Sequence, residues 1–360
     1  MDINHFNQLF EGFATTKIGV VGDIMLDTYW WGSVDRISPE APVPIVSLQR
    51  KETRVGGAAN VAVNVQSLSK FGPNDNAVTL YTAGARGDDY AIVREQLLLA
   101  GVTPIVSSTR VRPVIKCRIT NNDITQTMSP RITRFDVDPY DHWLTSSVNL
   151  IGSEEAGNDL KWPSNVDVFV VSDYHKGFFG LEPRAGDVRA RIVAAAEGKL
   201  LIVDPGRHIP GRRLSNWQAW GSKDTIFKFN ERQAREYLAF AEQPIAPDAE
   251  PELVYRAVYD VFNQQVAGHG VLFKRLVITF GDKGYATCDG DFIYAPPPYK
   301  HLLPNLTDVC GAGDTFLAGL AVGLMEGMPF VAACDFAQSA AGVAVRTPGT
   351  ATVTRKDALK

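Results

Sequence analysis

The chain has 360 residues, of which 45% are hydrophobic and 21% charged, with a formal net charge of −4. That length and balance suit one large α/β domain, or a domain with a cover, around an extensive core. They exclude a disordered chain, and with no basic block and no uninterrupted apolar run of bilayer length they argue against nucleic-acid and membrane partners.

Residues Met1 to Thr16 are polar, hold two acids and lack the basic start of a secretory signal. The four cysteines, Cys117, Cys288, Cys310 and Cys334, have no paired spacing. This argues against zinc and disulfides and predicts a reducing, cytoplasmic setting. Lys17 to Val21 reads as a first strand ending at Gly22-Asp23, and Val43 to Leu48 as a strand fenced by Pro39, Pro42 and Pro44. Such proline punctuation fits an edge or a small separate sheet. Ala58 to Leu68 has helical spacing after Gly56-Gly57; Val78 to Ala83 predicts a strand and Asp89 to Ala100 a helix. Val114 to Thr120 and Ile132 to Phe135 alternate as half-exposed strands do. Residues 140–163 read as an irregular inserted loop.

From Val166 the pattern is regular. Strands are predicted at Val166 to Val171, Leu200 to Val203, Ile226 to Phe229 and Leu276 to Thr279. Helices are predicted at Ala185 to Ala196, Glu231 to Phe240 and Pro251 to Gln265. Asp289-Gly290-Asp291 joins a hairpin, and two helices follow, about Gly313 to Glu326 and Pro329 to Arg346. Strands alternating with helices predict a doubly wound, mainly parallel α/β sheet, with the early alternating strands forming a small second sheet over a site. Polar clusters fall at predicted strand ends, where sites of open α/β sheets form: Gly22-Asp23, Ser172-Asp173-Tyr174, Asp204-Pro205 and Asn230.

The most informative stretch is Asp308-Val309-Cys310-Gly311-Ala312-Gly313-Asp314-Thr315-Phe316, which runs through glycines into a small, apolar helical pattern. A helix opened through glycine aims free N–H groups, and the positive end of the helix dipole, at one point. An acid there would repel a bound anion, but it suits a base that takes a proton from a hydroxyl attacking a phosphoryl group. An ordinary first-turn Asp is the competing reading of those nine residues alone.

With these pieces laid out, the chain resembles the ribokinase-like (PfkB) carbohydrate kinases over nearly its whole length. Asp308 to Phe316 matches the carboxyl-terminal signature of that family, and Gly56-Gly57-Ala58-Ala59-Asn60 its glycine signature. Gly22 to Gly32, Arg36 to Pro44 and Ser172 to Gly177 are most similar to the kinase modules that act on heptose 7-phosphate. The resemblance implies a kinase domain over residues 14–357, with a β-sheet lid drawn from about 32–54 and 110–137. It implies transfer of the ATP γ-phosphoryl, with Mg²⁺, to the anomeric hydroxyl of D-glycero-D-manno-heptose 7-phosphate, a step of ADP-heptose and lipopolysaccharide precursor synthesis. The alternatives are a kinase for another sugar or nucleoside, and a weakly catalytic sugar-phosphate-binding protein. No His-x-Gly-His motif of a nucleotidyltransferase domain is found; His208-Ile209-Pro210-Gly211 is not one.

Carried over residue by residue, the resemblance implies Asp314 as the base and the backbone of Gly311, Ala312 and Gly313 as the anion hole. Asp23, Asp27, Gly56, Gly57 and Asn60 would meet the sugar, and one or more of Arg36, Lys116, Arg118, Arg134 and Lys176 its phosphate. Asn230, Thr279, Gly281, Gly284 and Gln338 would lie on the nucleotide side. The family pattern Asn-x-x-Glu, which organises metal, is here Asn230-Glu231-Arg232-Gln233. An amide carries no charge to a hydrated cation, so the departure predicts weakened or shifted metal organisation, with Glu231 and Glu236 nearby. Asp308 and Gly349 lie where some relatives hold a monovalent cation. The apolar residues of the early strands predict a homodimer through the lids.

Overall fold

The computed structural model describes residues 17–72, 75, 77–84, 87–106, 112–121, 131–137, 166–176, 178–179, 188–206, 220–222, 225–267, 275–296 and 308–360. The residue 140–163 insertion lies outside them. Among the described residues the main sheet has nine strands in the order β13-β12-β11-β10-β9-β8-β1-β4-β5. β1 (Lys17–Gly22) lies between β8 (Val166–Ser172) and β4 (Val78–Thr82), and β4 carries the edge strand β5 (Val102–Val106). β8 continues through β9 (Leu200–Asp204), β10 (Thr225–Asn230) and β11 (Arg275–Thr279), all parallel. Only the hairpin β12 (Tyr285–Asp289) and β13 (Asp291–Ala295) is antiparallel.

Helices cover both faces. One apolar layer holds α1 (Ala58–Leu68), α2 (Asp88–Leu99), α6 (Ala312–Met325) and α7 (Phe330–Ala344), with Val61, Leu97, Leu320 and Ala340 fully buried. The other holds α3 (Val188–Ala195), α4 (Glu231–Phe240) and α5 (Pro251–Ala267), built on Ile192, Leu238 and Phe262. A short α8 (Arg355–Ala358) closes the chain. Near-continuous apolar strands such as Val-Asp-Val-Phe-Val-Val-Ser follow from this two-sided cover. Each large aliphatic or aromatic side chain buried in these layers contributes about 1.5–3 kcal/mol.

The second sheet has the order β3-β2-β6-β7, from β2 (Ile24–Ile37), β3 (Pro44–Gly57), β6 (Val114–Asn121) and β7 (Arg131–Val137). The proline-fenced strand is indeed an edge. β3 is longer than the apolar run predicts, because the polar stretch Gln49 to Arg54 continues the ladder on β2. Asp27 sits within β2, paired across to Arg54 and Lys116. Two register shifts interrupt the β2–β3 ladder, between Trp31 and Gly32 and between Val34 and Arg36. At its inner end the sheet is tied to the loop after α7. Arg54 donates to the carbonyls of Pro348 (2.6 Å) and Thr350 (3.0 Å), and the Thr350 N–H donates to the Tyr29 hydroxyl at 3.1 Å.

Candidate active site

The inner end of β2, the start of α1, the loop after β8, the carboxyl ends of β9 and β10 and the mouth of α6 converge. Gly311 caps α6 in the left-handed region at φ 79°, a conformation that costs an L-residue about 1–2 kcal/mol. A Cβ there would also lie 2.9 Å from Asn60 Nδ2, so the turn needs glycine twice over. The helix start leaves orphan N–H groups facing the site, although the Ala312 N–H turns back to the Val309 carbonyl at 3.4 Å. Asp308 steadies the turn from behind, accepting from the N–H groups of Cys310 (3.1 Å) and Gly349 (3.0 Å).

Asp314 stands in the first turn of α6 with only 6% of its surface exposed. Its Oδ2 accepts from Asn60 Nδ2 at 3.0 Å and its Oδ1 from the Tyr174 hydroxyl at 2.7 Å. Burial pushes its carboxyl from 3.8 up to about 6, against the lowering pull of Asn60, Tyr174 and Lys228. Asn60 is itself aimed: Asn64, one turn further along α1, donates to both its carbonyl and its Oδ1 at 3.0 Å. Burial, then the neighbouring Asp314 carboxylate, keep the Tyr174 phenol well above its ordinary value, so it stays a donor.

Asp23 lies beneath the site. Its Oδ2 accepts from the backbone N–H groups of Tyr174 (3.0 Å) and Lys176 (3.1 Å), and its Oδ1 from that of Phe178 (3.0 Å). Its carboxylate therefore shapes the loop that presents Tyr174, which differs from the sugar contact the sequence suggests. Burial, and then the nearby Asp173, push it upward despite those three donors. Asp27 is also committed, accepting from Arg118 at 2.6 Å in a pair buried on both sides. Its Oδ2 lies against Gly56, where any side chain would collide with it.

Lys116, Arg134 and Lys176 come together around Asp136. Against the raising effect of partial burial, two hydrogen bonds from Arg134 (2.7 and 2.6 Å) and the charges of Lys116 and Lys176 hold that carboxyl below its usual range. Lys116 also faces Asp27 and Asp314; burial lowers its ammonium while those acids raise it. Its Nζ sits 5.0 Å from the Tyr174 ring centroid. Arg36, by contrast, is exposed near the far end of β2.

On the other side, Asn230 caps α4 and Thr279 ends β11 beside it, its hydroxyl donating to the Phe229 carbonyl at 3.3 Å. Gly281 and Gly284 frame a tight turn before β12. Gln338 donates to the Pro296 carbonyl at 3.1 Å, just after β13.

Asn230 and Gln233 do not fit the metal-organising role. The Gln233 N–H donates to Asn230 Oδ1 at 2.9 Å, and Gln233 Oε1 accepts the Asn230 N–H at 2.6 Å. Glu231 and Glu236 pair with Arg235 and Arg232. Among the described residues no cluster of three or more His, Cys, Asp or Glu gathers as a metal site. Sequence reasoning missed Lys228, whose Nζ meets Asp204 Oδ2 at 2.7 Å and lies 3.2 Å from where a Gly313 side chain would begin. Its signal was a lysine among the apolar residues of Ile-Phe-Lys-Phe.

Residues 222–357 match the model of the pfkB family carbohydrate kinases. The chain is 33% identical over 349 residues to "Bifunctional protein HldE" of Shewanella denitrificans, covering 95% of this chain and 63% of that protein. It is 30% identical over 366 residues to the protein of the same name from Pelobacter propionicus, covering 98% and 64%. The chain thus spans under two thirds of the length of these relatives. In fold it is similar to ribokinase from Thermotoga maritima, with a TM-score of 0.65 at 17% identity over 96% of this chain and 98% of that one. It is equally similar to phosphofructokinase-2 from Escherichia coli, with a TM-score of 0.65 at 16% identity over 96% and 97%. At such identity these likenesses bear on the fold alone, a ribokinase-like one.

Proposed function

We propose that this chain, which belongs to the pfkB family of carbohydrate kinases, transfers the γ-phosphoryl group of ATP to a hydroxyl of a phosphorylated sugar. The observation that carries the reading is the placement of Asp314: a buried carboxylate with a pKa of about 6, set at the glycine turn of α6 and oriented by Asn60. Above that pH it is an unprotonated base, matched to a hydroxyl proton at neutral pH. The N–H groups of the 311–313 turn and the Lys228 ammonium stand where charge builds on the phosphoryl oxygens, an arrangement whose loss typically costs ~10²–10³ in rate. Asn230, Thr279 and the Gly281 to Gly284 turn form the ATP side. ATP arrives with Mg²⁺ as its own counterion, and no step is assigned to a resident metal.

The phosphate of the sugar is the reason for the second anion site. Lys116, Arg134 and Lys176 gather on the small sheet and the β8 loop and suit a charged substituent of the sugar. D-glycero-D-manno-heptose 7-phosphate, phosphorylated at its anomeric hydroxyl, is the substrate we favour, on the Gly22 to Gly32 and Arg36 to Pro44 resemblance. The exposed apolar side chains of the small sheet, Leu48 at 54% and Phe135 at 44%, support a homodimer through these strands.

The test is turnover with ATP across sugars and sugar phosphates. Heptose 7-phosphate should be strongly preferred; turnover of unphosphorylated ribose or fructose, with none on the heptose phosphate, defeats the substrate assignment. The weakly catalytic binding-protein alternative predicts sugar-phosphate binding with no ATP-dependent turnover in the same assay.

A further inference from the structure

Gln233 uses both ends of its side-chain amide. Oε1 accepts the Asn230 N–H, completing the cap of α4, and Nε2 donates to Asp204 Oδ1 at 2.7 Å. The other oxygen of Asp204 takes the Lys228 ammonium at 2.7 Å, and the Gly206 N–H reaches Oδ1 at 3.3 Å. Lys228 is 1% exposed and has its ammonium beside Gly313, at the mouth of α6. One short chain of contacts therefore runs from the cap of α4, through Asp204, to a buried cation at the glycine turn.

Charge decides which residue type this chain tolerates. Among the described residues, the charged groups hydrogen-bonded in line with Gln233 are the Asp204 carboxylate and, behind it, the Lys228 ammonium. Asp314, Asp173 and Tyr174 are the ionisable groups that Asp204 acts on next, and the His175 ring borders Gly206. A glutamate in place of Gln233 would still accept the Asn230 N–H. It could not donate to Asp204, and would set two carboxylates at hydrogen-bonding distance unless they shared a proton. An amide satisfies both neighbours at once.

We propose that Gln233 is a positioning residue: it fixes the Asp204 carboxylate, which in turn aims Lys228 at the glycine turn. The acid of this cluster is Asp204, on the strand end, and the helix position that holds it is required to be neutral. The proposal rests on the phosphoryl-transfer reading for its catalytic consequence and on geometry alone for the contact.

The experiment compares Gln233→Glu and Gln233→Ala with the unaltered full chain. It reads kcat and KM between about pH 5.5 and 8.5, and thermal unfolding without substrate over the same range. Misplacing a reacting or charge-stabilising group by about 1 Å can cost ~10² in rate. Gln233→Glu should lower kcat at pH 8 by up to about that factor, with KM for the sugar within roughly twofold. The loss should recover as pH falls, because the introduced carboxyl, once protonated, again donates to Asp204. Its melting deficit should shrink in the same direction. Gln233→Ala should lose kcat without that recovery. A kcat for Gln233→Glu equal to or above that of the unaltered chain overturns the proposal, as does a melting deficit that tracks Gln233→Ala at every pH. If the unaltered chain transfers no phosphoryl group, the functional reading fails, and the melting contrast still decides the Asp204–Gln233 contact.

Discussion

The Tyr174 hydroxyl donates to Asp314 Oδ1 at 2.7 Å, while Asn60 holds Oδ2. Both oxygens of the candidate base thus have donors before any sugar arrives. Each carboxylate oxygen keeps a further lone pair, so a hydroxyl presented to Asp314 would bind beside the phenol or take its place.

Removing that phenol has a signed consequence. Its hydrogen bond lowers the Asp314 carboxyl, so Tyr174→Phe should raise it and move the acid limb of the kcat/KM profile to higher pH. Activity should fall more at pH 6 than at pH 8.5. An unmoved limb would show that the contact does not tune the base.

Asp314→Asn should reduce turnover by ~10²–10⁴, with ATP binding retained in calorimetry. It should also alter stability. A carboxyl raised in the folded state from 3.8 to about 6 gives stability that is present below the unfolded value and lost as pH rises through 6. The variant should therefore melt higher than the unaltered chain at pH 8, with the gain shrinking toward pH 4.

Lys116→Ala should raise KM for the phosphorylated sugar by about tenfold or more, the scale of one charge-assisted contact. KM for ATP should change little. Arg134→Ala should do less, because that guanidinium is already bound to Asp136 and half exposed. Equal effects of Lys116→Ala on phosphorylated and unphosphorylated sugars would place the phosphate elsewhere.

Gly311→Ala should destabilise by about 1–2 kcal/mol from the left-handed backbone alone, and more where the new methyl meets Asn60. Denaturant unfolding measures the loss, and kcat should fall with it because Asn60 orients Asp314.

The main sheet was legible because two-sided burial leaves strands as apolar runs between helical periods, and Glu231–Phe240 is predicted to the residue. β5 escaped because Pro104 interrupts it, which an edge strand tolerates. The inner part of β3 escaped because Arg50 to Arg54 is polar, and a sheet wet on one side needs no apolar run there. The glycine turn and an acid in the first turn of α6 were readable from spacing, while the role of Asp314 as base came from the family resemblance. The partners of Asp23, Asp27 and Gln233 were not, since Tyr174, Lys176 and Phe178, then Arg118, then Asp204 come from other elements. A motif assigns a side chain a chemistry; only its neighbours decide whether that chemistry is free for a ligand.

Arg54 and Tyr29 fasten the root of the small sheet to the loop after α7, and both register shifts in the β2–β3 ladder fall outboard of that fastening. A cover held at its base can bend only along its overhang. We expect amide exchange to be slow around Leu26 to Tyr29 and faster beyond Trp31, and bound sugar phosphate to quiet the outer part alone. Motion of the small sheet is then expected in its outer strands, with the Asp314 carboxylate and its donors held still.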